Sequence, residues 1–206
     1  MIKQPLFIHI NSCGGRYIRK KLVEKYNDNF IVHHINPLLY RDLVPRNKIV
    51  RIWQYKDVTR NKGRNIIKKY DNKSIFDIPN TVPFLVLRNP IERYKTENKH
   101  HKLHISEQLK DERSYNIICK SLFVAFTGDY NEYFLKFNEK KFKKILEYLK
   151  DIKVILLERI YLLSDIFEFN TPPIYKKHEY KNKTYDSEIR DKNYFDYKLY
   201  KLYLNR

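Results

Sequence analysis

Five short apolar runs, at residues 5–10, 30–35, 49–53, 83–87 and 152–156, constrain the fold of this chain more than any other feature. Each is partly β-branched, and several lack clean apolar–polar alternation. A strand that is apolar at nearly every position needs cover on both faces, as in a parallel sheet. Helical patterns lie between the runs. Residues 16–26 follow the first run, and 91–98 follow the fourth, just after the helix-opening residue Pro90. Residues 138–150 place Phe142, Ile145, Leu146 and Leu149 on one face, with Lys and Glu on the other. Residues 159–167 and 194–203 are further helices. Strands alternating with helices predict an α/β domain with a mostly parallel sheet. The polar stretch 57–80 reads as a loop with a short helix.

The bulk numbers agree. A chain of 206 residues suits one domain, spanning 1–206, and a 42% hydrophobic content excludes a disordered chain. No apolar run is long enough to span a bilayer, and no signal-peptide pattern opens the chain, so a cytoplasmic or otherwise soluble intracellular protein is expected. The only cysteines, Cys13 and Cys119, fall in a loop and a helix, which fits a reducing compartment. The formal charge of +18 reflects two things: an abundance of Lys, Asn, Ile and Tyr together, and attraction to an anionic partner. The cations are spread along the chain and no nucleic-acid motif accompanies them, so no specific nucleic-acid partner is expected.

Two strand–loop–helix units carry the chemistry. The first, "PLFIHINSCGGRYIRKKL", ends its strand in a loop with Gly14 and Gly15 and opens a basic helix. Free N–H groups and the helix dipole attract anions there, and glycine lets a ligand approach the backbone. The full Walker pattern is absent, which disfavours an ATPase or GTPase. The second unit, "VPFLVLRNPIERYKTENKH", puts Arg88 at its strand's carboxyl end and Thr96 two turns into the helix. Guanidinium and hydroxyl groups suit phosphate. Arg93 is equally consistent with pairing to Glu92 or Glu97.

Together the two units resemble the sulfotransferase superfamily, especially its carbohydrate and heparan sulfate branch. The first resembles a motif of the form F-x-H-I-P-K-T-G-G-T-S, here Phe7 to Tyr17, and the second R-D-P-x-E-R-x-x-S, here Arg88 to Thr96. Residues 154–169, "HEYKNKT" at 178–184 and "NYFDYKLYKLYL" at 193–204 are similar to later family segments. The resemblance implies a three-layer α/β domain like that of P-loop kinases. It implies 3′-phosphoadenosine 5′-phosphosulfate (PAPS) as donor, an anionic glycan or other hydroxyl acceptor, and no metal. Ser12, Cys13, Gly14, Gly15, Arg16 and Tyr17 would hold the 5′-phosphosulfate, and Arg88 and Thr96 the 3′-phosphate. The family's loop lysine is Ser12 here, and losing such a charge typically costs roughly 2.7–4 kcal/mol of transition-state stabilisation. Arg16, which with Tyr17 replaces a Thr-Ser pair, is placed to compensate. A general base is implied as well.

His33 and His34 end the second strand, and alternation points one of them into the cleft. His9 reads as a packed core residue. His100, His101 and His104 read as a solvated basic face, and Trp53 as core or as an adenine-stacking ring. Three functions follow: a PAPS-dependent sulfotransferase, an impaired relative that keeps nucleotide or glycan binding, and a basic nucleic-acid binder supported by charge alone.

Overall fold

The computed structural model describes residues 3–27, 29–35, 50–55, 64–66, 73–101, 104–169 and 183–206. Six strands, β1 (Gln4–His9), β2 (Ile31–Ile35), β3 (Val50–Tyr55), β4 (Arg64–Ile66), β5 (Thr81–Leu87) and β6 (Lys153–Leu156), form one sheet. Its order is β4-β3-β2-β1-β5-β6. The four strands β2, β1, β5 and β6 are mutually parallel, and β3 and β4 extend the sheet antiparallel. The parallel part of the sheet matches the expectation of a mostly parallel sheet. β4 falls in the polar stretch where a loop is expected, and a single 3-10 turn at Ile75–Asp77 supplies the short helix there.

The helices are α1 (Gly15–Tyr26), α2 (Pro90–His101), α3 (Ile105–Gln108), α4 (Ile117–Thr127), α5 (Glu139–Tyr148), α6 (Leu163–Phe167), α7 (Asp186–Lys192) and α8 (Tyr194–Leu204). They flank both faces of the sheet. On one face Phe7, Phe84 and Val86 pack with Ile18 and Leu22 of α1 and with Leu163 and Phe167 of α6. On the other, Leu6, Ile8, Leu85 and Leu87 meet α4, α5 and α8. Neighbouring residues of one strand thus enter opposite cores, which explains why the runs do not alternate. The expected helix over 159–167 instead begins as a 3-10 stretch, Leu157–Leu162, broken at Arg159 with φ −111°. The Arg159 guanidinium donates to the Leu204 carbonyl at 3.1 Å, tying that break to the end of α8.

α4 carries no amphipathic stripe. Every residue from Ile117 to Phe126 is buried, so it is the central helix of one layer. A buried helix start leaves N–H groups that need acceptors. Asp196 of α8 supplies them, accepting from Ile118 N–H at 2.9 Å and Cys119 N–H at 2.8 Å. Asn116, just ahead of α4, returns the arrangement by accepting from Phe195 N–H at 2.9 Å. Each helix is thereby capped by the other. Arg93 of α2 lies buried beside this junction, ion-paired to Glu97 and attracted by Asp196. Burial disfavours its charge, but the two carboxylates hold it protonated. This junction locks α2, and therefore Arg88 and Thr96, onto the rest of the domain.

Candidate functional site

β1 lies between β2 and β5. The chain runs from β1 through α1 to β2 on one side, while β5 pairs on the other. This is a switch point in a parallel sheet, where a crevice opens outside the carboxyl ends of the strands. A cleft of about 540 Å³ occupies that place. The first loop supplies Asn11, Ser12, Gly14 and Gly15 to its walls; α1 supplies Arg16, Tyr17 and Arg19; and the β5–α2 unit supplies Arg88 and Thr96. No carboxylate lines it among the described residues.

The loop backbone is bent by two residues with positive φ, Ser12 at 62° and Gly14 at 77°. Glycine adopts this region freely, whereas Ser12 does so under strain. Arg88 holds the strained residue in place. Its guanidinium donates to the Ser12 carbonyl at 3.1 Å and to Glu92 at 3.4 Å, and only 4% of the residue is exposed. Arg88 is therefore both a brace for the loop and part of the cleft wall. At the start of α1, the N–H groups of Gly15 and Arg16 meet no acceptor among the described residues. Two such donors, with Arg16 and Tyr17 exposed above them, form a positive end suited to an anion.

Cys13, expected among the donor-binding residues, turns away. Its thiol is buried in the apolar core and does not line the cleft. Burial pushes its pKa up to about 12, although Arg93 and Arg88 pull it down. Its N–H is also engaged, donating to the Ile10 carbonyl at 3.3 Å.

The histidines separate by strand alternation. In the register of β1 and β2, His33 pairs with Ile8 and His34 with His9. His33 is 1% exposed, on the face that Ile8 shares with the α4 core, and does not line the cleft. Burial lowers its pKa to about 4, and its Nε2 has no hydrogen-bond partner. Of the two expected base candidates, His34 alone lies on the cleft side. There it meets a residue that the sequence reading assigns to the core. His9 lines the cleft, its ring stacks on that of His34 at 4.7 Å, and the two Nδ1 atoms lie 2.7 Å apart. Only one Nδ1 can donate, so the pair shares a single proton in this bond.

Gly15 makes room for His9. A Cβ on Gly15 would stand 1.9 Å from His9 Nε2. The sequence signal for this was present but ambiguous: a second adjacent glycine, six residues after a histidine near a strand's end.

His104 is exposed just ahead of α3. Trp53 falls in β3 and His100 and His101 at the end of α2, with side chains outside the described set; residues 178–182 of the late loop also lie outside it. Among the described residues no group of three or more His, Cys, Asp or Glu is placed to hold a metal, and no helix is long and apolar enough to cross a membrane. Comparison of the chain with known protein families, with curated proteins and with solved structures returned no match.

Proposed function

We propose that this protein is a sulfotransferase that moves the sulfuryl group of PAPS to a hydroxyl of an anionic glycan. One observation carries the reading: at the switch point, the glycine loop and the unit containing Arg88 and Thr96 converge on one cleft. A donor with phosphate groups at both the 3′ and 5′ positions needs two anion sites on a common floor. In the proposal, the Gly15 and Arg16 N–H groups and the Arg16 side chain hold the 5′-phosphosulfate. Arg88 and Thr96 hold the 3′-phosphate, and Tyr17 borders the donor. The P-loop-kinase likeness of the domain belongs to this proposal.

The reaction resembles phosphoryl transfer in what it asks of the protein, namely positioning and charge neutralisation. The acceptor oxygen forms a bond to sulfur as the bond from sulfur to the bridging oxygen of the 5′-phosphate breaks. The electron pair leaves on that phosphate, and Arg16 offsets the charge it gains. The acceptor's proton passes to the histidine pair. The Nδ1–Nδ1 hydrogen bond between His9 and His34 fixes the tautomers of the pair that takes it.

Calorimetric titration with adenosine 3′,5′-bisphosphate tests the reading first, and labelled-sulfate transfer to a glycan panel tests it second. Saturable binding of the bisphosphate is expected, weakened up to about tenfold by Thr96→Val through one lost hydrogen bond. Absence of binding overturns the proposal. A second reading, a binding protein that has lost turnover, is favoured by Ser12 standing where the resemblance places a lysine. Ser12→Lys separates the two: gained transfer marks a decayed site, and lost transfer marks a rebuilt one.

A further inference from the structure

A second cavity, of about 380 Å³, shares no lining residue with the β1–β5 cleft. It lies where the starts of α4 and α8 meet the segment 134–137. Its volume falls within the usual range of small-molecule sites. The walls are aromatic and fixed. Phe137 and Tyr194 each pack edge-to-face on Phe195, both at 5.2 Å. Tyr115 is held by a hydrogen bond from its hydroxyl to the Leu109 carbonyl. At the rim, Leu135 is 51% and Tyr194 54% exposed, among the most open of the large apolar side chains described. Apolar groups gathered around a cavity in this way mark a binding surface more often than scattered ones do.

The charge at this place is equally uneven. Lys120 is 4% exposed, and its ammonium donates to the Arg113 carbonyl at 3.2 Å and the Glu112 carbonyl at 3.5 Å. Lys136 stands exposed at the rim. Among the described residues, neither lysine has a carboxylate within ion-pair distance, whereas Lys192 on the same wall is paired to Glu188. Burial without a counter-ion is unfavourable for an ammonium. It lowers the Lys120 pKa to about 8, even though Asp196 and Asp111 pull the other way. An anion in the cavity would complete the site. The carboxylates that line it, Glu112 and Asp191, are exposed; they limit the ligand to one anionic group and offer acceptors to its hydroxyls.

We infer that this cavity is a second ligand site, which takes a single oxyanion carried on a ring with an apolar face. The ring lies against Tyr194, and the oxyanion pairs with Lys120 and Lys136. An aromatic carboxylate and an acidic sugar both have that chemistry.

The test uses the full chain, with 4-hydroxybenzoate, a uronic-acid disaccharide and inorganic sulfate as probes in calorimetric and NMR titrations at low salt. One ring-bearing probe is expected to saturate the site, and which one does so names the source. Lys120→Met should weaken its binding about tenfold or more, the scale of one lost charged hydrogen bond. Lys136→Glu and Tyr194→Ala should each weaken it severalfold, and Thr96→Val in the cleft should leave it unchanged. The last two site variants alter exposed side chains, so the test survives even if Lys120→Met fails to fold. The inference is overturned if neither ring-bearing probe saturates below roughly 10 mM, a very weak affinity. It is also overturned if Lys136→Glu and Tyr194→Ala leave binding intact, or if sulfate binds as tightly as the ring-bearing probes. No readout depends on sulfuryl transfer, so failure here is distinct from failure of the proposed activity.

Discussion

Gly15→Ala would ordinarily stabilise a helix, because alanine is favoured over glycine by about 1 kcal/mol. In this protein the sign should reverse. The added Cβ would stand 1.9 Å from His9 Nε2 and 2.2 Å from Cδ2, where ordinary contact begins at 3.4 Å, so the ring must retreat by about 1.5 Å. It has little room to do so, with Phe7 at 5.5 Å and His34 at 4.7 Å between ring centres. Overpacking of this kind costs about 1–3 kcal/mol. Losing the His9–His34 hydrogen bond adds about 1 kcal/mol. Set against the propensity gain, the net loss is about 1–3 kcal/mol. In a chain of this length that lowers Tm by roughly 2–4 °C per kcal/mol. The assay is a double-mutant cycle in urea at pH 7, followed by circular dichroism, with wild type, Gly15→Ala, His9→Ala and the double variant. In the His9→Ala background the obstacle is gone, and Gly15→Ala should be neutral or stabilising by up to about 1 kcal/mol. An equal cost of Gly15→Ala in both backgrounds would refute the packing of His9 over Gly15.

Three more outcomes follow from buried groups. His33 titrates near 6.5 when unfolded but at about 4 when folded, so the unfolded chain binds the extra proton and stability falls as pH drops through that window. Between pH 7 and pH 5 the loss from this group should be about 2 kcal/mol, and His33→Leu should remove it in parallel urea titrations. Asp196→Ala removes the acceptor for two buried N–H groups at the start of α4 and should cost about 3–5 kcal/mol, with Asp196→Asn less damaging, measured by chemical denaturation. The thiols of Cys13 and Cys119 are buried and held neutral, so Ellman's reagent at pH 8 should titrate neither in the native protein and both in urea.

Much of the framework was legible in the chain because it rests on local chemistry. All five apolar runs became strands, since short β-branched apolar segments bounded by turn signals suit a buried sheet. The starts of α1 and α2 followed Gly14 and Asn89, at the glycine and proline signals the sequence carries. α4 escaped bounding for a physical reason: a helix buried all round has no stripe to read. β4 lay in a polar stretch and takes its place through pairing with β3.

The sequence by itself determined the strand segments of the parallel core and the two loops that end β1 and β5, because apolar runs and glycine and proline signals are patterns a few residues long. The tertiary structure alone decided which side chains share those loops' cleft. His9 meets His34 across 25 residues, Arg88 reaches the Ser12 carbonyl across 76, and Asp196 caps Cys119 across 77. Strand register sent His33 into the core and His34 beside His9, a choice that turns on one residue of alternation. Contacts so distant in the chain leave no periodic trace in it; they exist only once the sheet has brought the strands together.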